Sequence, residues 1–490
     1  MANPIRQLAG ETAIYGMSTI LARIVNFALV PLYTRVLMQA DYGVVTEMMS
    51  YIAILQVVLV MGLETGCFRY ASREGQDSVK VFSNAFITVL GVCLLFFGVM
   101  ALLADPVADA MGYQGHGRMI MYVSAILLLD NPLAILFARL RYEHKALRFA
   151  LVKTLKILTE VGMNLLLYLV MPARFAANPD HWLLRFVSPT PDFTYAIFAI
   201  LVSCVVCLLL MLPELMRLRW KPERGMLSAL LAYSLPLMVA SLPGVLNDFL
   251  DRVLMRFLNA DPATWRADLG VYQAGVKIAV IMSLFVQMFR YAAEPFFFQR
   301  ARDRNSKELY AKVMNYFTAF CMAGFLAVML FIDEIGLILG RDFREGLSIA
   351  PIMLMAYVLL GMLFNVNMWY KLSGKTQYAV WVTLAGLVVT IAVNAVWMPV
   401  YSYHAAAWGH LASYAVMLII SVLLGNRYYY IPYDWLLLIL LIVLGTGLYL
   451  ASGLLPQMAL APKLLTRAAI MLAYVAAAFV LLRKPIRKTI

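Results

Sequence analysis

The sequence predicts an all-α, polytopic membrane protein with about 14 transmembrane helices, arranged as two lobes of about six helices each plus about two more. Three observations lead there. Hydrophobic residues make up 63% of the 490-residue chain and charged residues only 14%, with mean hydropathy +0.80, so there is too little polar surface for a soluble globule. Apolar runs of about 18 residues or more recur along the whole length. Lys and Arg gather in alternate connections, the pattern that membrane topology imposes.

The first run, roughly 12–37, follows the weakly charged stretch MANPIRQLAG. It is too long for a secretory signal and lacks a small-residue cleavage site, so it is expected to be a retained helix. The turn QAD leads to roughly 42–67, and a connection with Arg69, Arg73 and Lys80 precedes 80–104. Then come 118–139, 147–171 and 192–213, with Arg139, Arg141, Lys145 and Arg148 in one connection, and Arg217, Arg219, Lys221 and Arg224 before 228–256. After 269–295 stands the basic stretch Arg300, Arg302, Arg304, Lys307 and Lys312, followed by 310–332, 347–371, 377–399, 405–426, 433–452 and 464–482. The opposite connections hold fewer cations, chiefly Arg118, Arg174, Arg185, Arg266, Arg341 and Arg344, among several acids. By the positive-inside rule both termini are expected in the cytoplasm, the terminal RKPIRK included. Topology accounts for the net charge of +13, and no nucleic-acid partner is needed.

Several motifs that would carry chemistry fail on spacing or context. Ser373-Gly374-Lys375-Thr376 ends like a phosphate-binding loop, but the first glycine of that motif would fall at Trp369. The 5 histidines (His116, His144, His181, His404, His410) lack metal-ligand spacing, so neither a metal nor a cofactor is expected. Cys204 and Cys207 spell C-x-x-C inside an apolar helix, where they read as small hydrophobes. The longest far-side connection, Pro172 to Pro191, has about 20 residues, leaving little room for external catalytic loops. That argues against a membrane glycan polymerase or ligase, and nothing else argues for an enzyme.

Ionisable groups at bilayer depth are costly and are functional candidates by default. The first helix carries Arg23 and Arg35, the second Glu47, the fourth Asp130, the seventh Asp248, Asp251 and Arg252, and the eighth Lys277. Asp248 and Arg252 are four apart and share a face, as do Asn247 and Asp251, and Gln273 and Lys277. Arg23, Arg35, Arg252 and Lys277 are the candidates for a cationic, substrate-binding cavity surface. Glu47, Asp130, Asp248 and Asp251 are candidates for charge pairing or ion coupling. Arg35 lies near a helix end, where snorkelling to the interface explains it equally well. Lys153 and Lys156 follow a basic connection and read as marks of the fifth helix's cytoplasmic entrance.

An internal repeat organises the chain. RVLMQADYGVVTEMMSYIAIL has its counterpart in RFLNADPATWRADLGVYQAGVKIAV: Arg-x-Leu closes one helix and Gly-Val opens the next, setting Arg35 against Arg256 and Gly43 against Gly270. The expected division is an N-terminal lobe over 1–220, a C-terminal lobe over 221–430, and additional helices with a basic tail over 431–490. Parallel repeats place a substrate site between lobes and work by alternating access.

Asn26-Phe27, Pro31-Leu32-Tyr33-Thr34-Arg35, Asp41-Tyr42-Gly43, Leu269-Gly270-Val271-Tyr272, Glu294-Pro295-Phe296 and RDFREGLSIAPIM at 341–353 together resemble the Wzx-type polysaccharide flippases. These belong to the multidrug/oligosaccharidyl-lipid/polysaccharide exporter superfamily. The resemblance covers most of the chain. It implies a bacterial inner-membrane protein that moves an undecaprenyl-pyrophosphate-linked oligosaccharide to the periplasmic leaflet for O-antigen, capsule or other surface polysaccharide. It also implies a polysaccharide polymerase and chain-length machinery as partners. In such a protein Arg23, Arg252 and Lys277 would attract the pyrophosphate, and Tyr33 and Tyr51 would pack on sugars. Lipid II flippases are the alternative, although their first helix has an Arg-Asp after the phenylalanine where this chain reads Phe27-Ala28-Leu29-Val30. MATE-type drug antiporters come next, usually with fewer helices and cationic substrates.

Overall fold

A computed structural model describes residues 16, 21, 24–301, 303–454 and 459–483; among them the regular elements are helices and no strand occurs. Thirteen of these helices are long and apolar enough to cross a membrane, and a shorter apolar helix precedes them. The chain is a multi-pass membrane protein. We number the spans α1 (Ile24–Val36), α2 (Gln39–Ala71), α3 (Ser78–Leu102), α4 (Gly117–Tyr142), α5 (Ala146–Ala177), α6 (Phe193–Leu215) and α7 (Arg224–Leu258). There follow α8 (Trp265–Phe298), α9 (Ser306–Leu330), α10 (Arg341–Leu372), α11 (Tyr378–Tyr401), α12 (Tyr403–Tyr428), α13 (Trp435–Ser452) and α14 (Ala461–Leu482). Most of the expected first run before residue 24, Arg23 included, lies outside the described residues.

The chain divides into two compact units: Met1–Arg256 with Ala263–Gly270, and Phe257–Pro262 with Val271–Ile490. In the first unit α4 is the central helix, packed against α2, α3, α5 and α6. Two departures from regular helix shape this unit. α2 breaks where Met61 (φ 56°) and Gly62 (φ 67°) turn left-handed, and a Cβ on Gly62 would stand 2.6 Å from the Ser234 carbonyl oxygen of α7. Glycine therefore serves both the turn and the close approach. α5 widens to a π turn over Leu166–Val170 just before Pro172, which has no N–H to give the Tyr168 carbonyl.

The openings of α2 and α8 meet backbone to backbone. A Cβ on Gly43 would fall 1.8 Å from the Arg266 carbonyl oxygen, and one on Gly270 would fall 2.1 Å from that of Gln39. Small residues allow such approach between membrane helices, and the glycines that the repeat sets in equivalent positions lie against each other.

In the second unit α9 packs against α10, α13 and α14, while α12 packs against α10 and α11. Trp369 is fully buried and donates its indole N–H to Ser421 Oγ at 3.0 Å, so its polar edge is satisfied in an apolar setting.

Candidate functional site

The first unit carries a ladder of charge pairs along α2. Its ends are named here by the connections that flank them: the basic end, with Arg69 and Arg73, and the far end, at Gln39. Near the far end Glu47 is completely buried, and both its carboxylate oxygens are engaged. Arg256 of α7 donates to Oε1 at 2.9 Å, and the Tyr113 hydroxyl donates to Oε2. Burial, and then the Glu47 charge, push the Tyr113 hydroxyl well above its usual range, so it stays a proton donor. Arg266 lies over the Tyr113 ring at 4.6 Å and the Trp265 ring at 5.0 Å, and donates to the Gly112 carbonyl at 2.8 Å. Tyr51 borders this group, with the charges of Glu47 and Arg256 both acting on its hydroxyl.

One turn away on α7, Arg252 bonds Asp251 at 3.2 Å and the Asp248 backbone carbonyl at 2.5 Å. Asn247, Asp251 and Arg252 are buried, and Asp248 is exposed. The i,i+4 spacing foretold that Asp248 and Arg252 would be neighbours; the contact that forms there uses the Asp248 main chain.

Halfway along the ladder, Asp130 of α4 is paired with Lys156 of α5 and accepts from Gln56 Nε2 of α2 at 3.0 Å. Lys156 was read as an entrance lysine, but it lies about 15 Å along α5 from Ala146 by helical rise. An ammonium at that depth needs a counter-charge, and Asp130 supplies it. Lys153, a turn nearer the basic end, has its ammonium 5.1 Å from the Phe149 ring centre and 5.8 Å from that of Phe137. The last rung is Arg141 to Glu64 at 2.8 Å. Beyond it Glu143 accepts from Arg139 at 2.6 Å and Lys145 at 2.5 Å. Burial alone would raise its carboxyl, but those two hydrogen bonds win and hold it below the usual range.

The remaining predicted residues are dispersed. Tyr33 is buried, donates to Asn164 Oδ1 at 2.9 Å and packs on Tyr42 and Tyr168, so tyrosines surround its ring. Arg35 is exposed at the end of α1. Lys277 is half-buried and belongs to the second unit. Among the described residues no group of three or more His, Cys, Asp or Glu side chains could hold a metal ion. Sequence reasoning missed Arg256 and Tyr113 as partners of Glu47, and Arg266 as the cation over the Tyr113 ring. Arg256 was visible as the repeat partner of Arg35 and as a helix-end arginine suited to snorkelling, whereas it turns inward to Glu47, and Tyr113 sits in a short connection with no motif.

Residues 8–301 match the family described as polysaccharide biosynthesis protein. The chain belongs to this family. Its membership puts the protein in polysaccharide biosynthesis, with the family region covering the whole charge ladder. No curated protein matches the chain. Among solved structures, the lipid II flippase MurJ in an inward closed conformation superposes with a TM-score of 0.74 at 10% identity, over 96% of this chain and 100% of that one. A MATE transporter in its bent conformation gives 0.56 at 15% identity, over 86% and 94%. A MOP superfamily transporter from Pyrococcus furiosus gives 0.51 at 13% identity, over 87% and 96%. At such identities the likeness is one of fold.

Proposed function

We propose that this polysaccharide biosynthesis protein is a flippase for undecaprenyl-pyrophosphate-linked oligosaccharide, carrying it from the cytoplasmic to the periplasmic leaflet of the bacterial inner membrane. The observation that carries the reading is the family match across a unit with paired charges at membrane depth. An anionic, sugar-bearing head group needs such a lining, while its polyprenyl tail stays in lipid. In this reading the basic end faces the cytoplasm, both termini lie there, and lobes over 1–220 and 221–430 alternate access, with 431–490 appended.

Arg252 and Arg35 supply cationic surface on the first unit and Lys277 on the second, and Tyr51 meets sugar. Glu47, Asp130 and Asp251 keep Arg256, Lys156 and Arg252 compensated between transport steps, and these carboxylates or Asp248 exchange an ion. An inside-negative potential favours outward movement of negative charge by about 2.3 kcal/mol per charge per 100 mV.

A second reading, transport of lipid II, draws on the fold shared with MurJ. The two separate in a depletion experiment in the native host. The oligosaccharide flippase predicts loss of surface glycan, with the lipid-linked oligosaccharide trapped on the cytoplasmic leaflet and murein synthesis intact. Arrested murein synthesis with normal surface glycan would instead select the lipid II reading.

A further inference from the structure

We propose that Arg141, Lys153 and Lys156 form a diphosphate-binding station in the half of the first unit nearer the basic end, with Asp130 as the resident anion that a substrate diphosphate displaces from Lys156. The proposal rests on the flippase reading and adds a site separate from Arg23, Arg35, Arg252 and Lys277.

Three features support it. The first is depth: Lys153 and Lys156 lie about 10 and 15 Å along α5 from Ala146 by helical rise, beyond what a cytoplasmic entrance requires. The second is access. The side chains of Lys156 and Asp130 remain 18% and 23% exposed, and those of Arg141 and Glu64 37% each. Charged groups exposed as deep as Lys156 and Asp130 face a polar cavity, because hydrocarbon would penalise them heavily; Arg141 and Glu64 stand at its basic end.

The third is charge. Asp130 matches Lys156 and Glu64 matches Arg141, but the ammonium of Lys153 rests against Phe149 and Phe137. Arg141, Lys156, Asp130 and Glu64 are the charges that act on Lys153. Three cations against two carboxylates leave an excess of positive charge in a low-dielectric wall. A diphosphate brings several acceptor oxygens to those donors, and charge-assisted bonds of this kind are the strong ones. Gln56, which donates to Asp130 at 3.0 Å, keeps the displaced carboxylate hydrogen-bonded. The polyprenyl chain needs no protein site for this step.

The test is equilibrium binding of farnesyl diphosphate to the purified full-length protein in nanodiscs, with farnesol as the uncharged control. Wild type is expected to bind the diphosphate and not farnesol. Lys153→Met breaks no ion pair and should weaken binding by about tenfold, the loss of one charge-assisted contact. Lys156→Gln strands Asp130, so the double variant Asp130→Asn/Lys156→Gln is the fold-preserving form, expected to weaken binding at least as much. Wild-type affinity in both variants would overturn the station and leave the flippase reading standing. Absence of diphosphate binding in a wild type that still sustains glycan export would also overturn the station alone. If the host exports glycan normally without the protein, the flippase reading falls and the station with it.

Discussion

The two units solve the problem of polar groups in a membrane differently. In the first, full charges lie within the spans and are paired across helices, Glu47 with Arg256 and Asp130 with Lys156, and Glu64 pairs with Arg141 at the basic end. In the second, Ala350–Val366 of α10, all of α11, and α12 as far as Asn426 contain no Asp, Glu, Lys or Arg. Buried polar groups there include the uncharged side chains of Thr390, Asn394 and Ser413, on the faces of α11 and α12 that pack together. Ser413, for example, bonds the Gly386 carbonyl at 3.0 Å. Buried ion pairs are poor stabilisers compared with apolar packing. Their concentration in the first unit therefore points to use, whereas the uncharged stretches of α10, α11 and α12 resemble a scaffold.

The sharpest way to break this contrast is Glu47→Leu, which leaves Arg256 without its carboxylate and should lower stability by about 3–5 kcal/mol, read as thermal unfolding in detergent. The double variant Glu47→Leu/Arg256→Leu should recover much of that loss, because removing both members removes the stranded charge. Next in size is Gly270→Leu, which forces the α2–α8 crossing apart and should cost about 1–3 kcal/mol in the same measurement. Between α11 and α12, Ser413→Ala should cost only about 1 kcal/mol and leave glycan export unchanged; a loss of export would end the scaffold interpretation.

The smallest effect concerns Glu334, whose carboxyl bonds Arg467 of α14 at 2.6 Å. Burial would raise its pKa, but Arg467 and the local hydrogen bonds hold it below the usual carboxylate value. A depressed folded pKa means that this contribution is complete above the unfolded value and disappears as pH falls through the folded one. Hydrogen exchange in α14 should therefore quicken modestly in acid, and less so in Glu334→Gln.

Much of this was legible in the sequence. Long apolar runs gave the spans, and spacing of four brought Arg252 to Asp248. What was not legible shares one cause, dependence on a distant neighbour. Lys156 looked like an entrance lysine because its proximity to a basic connection is local, while Asp130 is on another helix. Tyr33 looked available to sugars because its Asn164 partner lies far along the chain. Gly62 marks a weak point in α2, but the Ser234 carbonyl of α7 that lies against it comes from far along the chain.

The central claim, that the charged ladder of the first unit carries the head group of a lipid-linked glycan, is tested most directly in proteoliposomes. A polyprenyl-diphosphate oligosaccharide is placed in one leaflet, and its appearance in the other is followed with an impermeant glycan-modifying enzyme. Wild type should move it well above the rate of protein-free vesicles, and a variant combining Lys153→Met with Asp130→Asn/Lys156→Gln should fall to that background. Wild-type rates in the variant, or no acceleration by the wild type, would contradict the account.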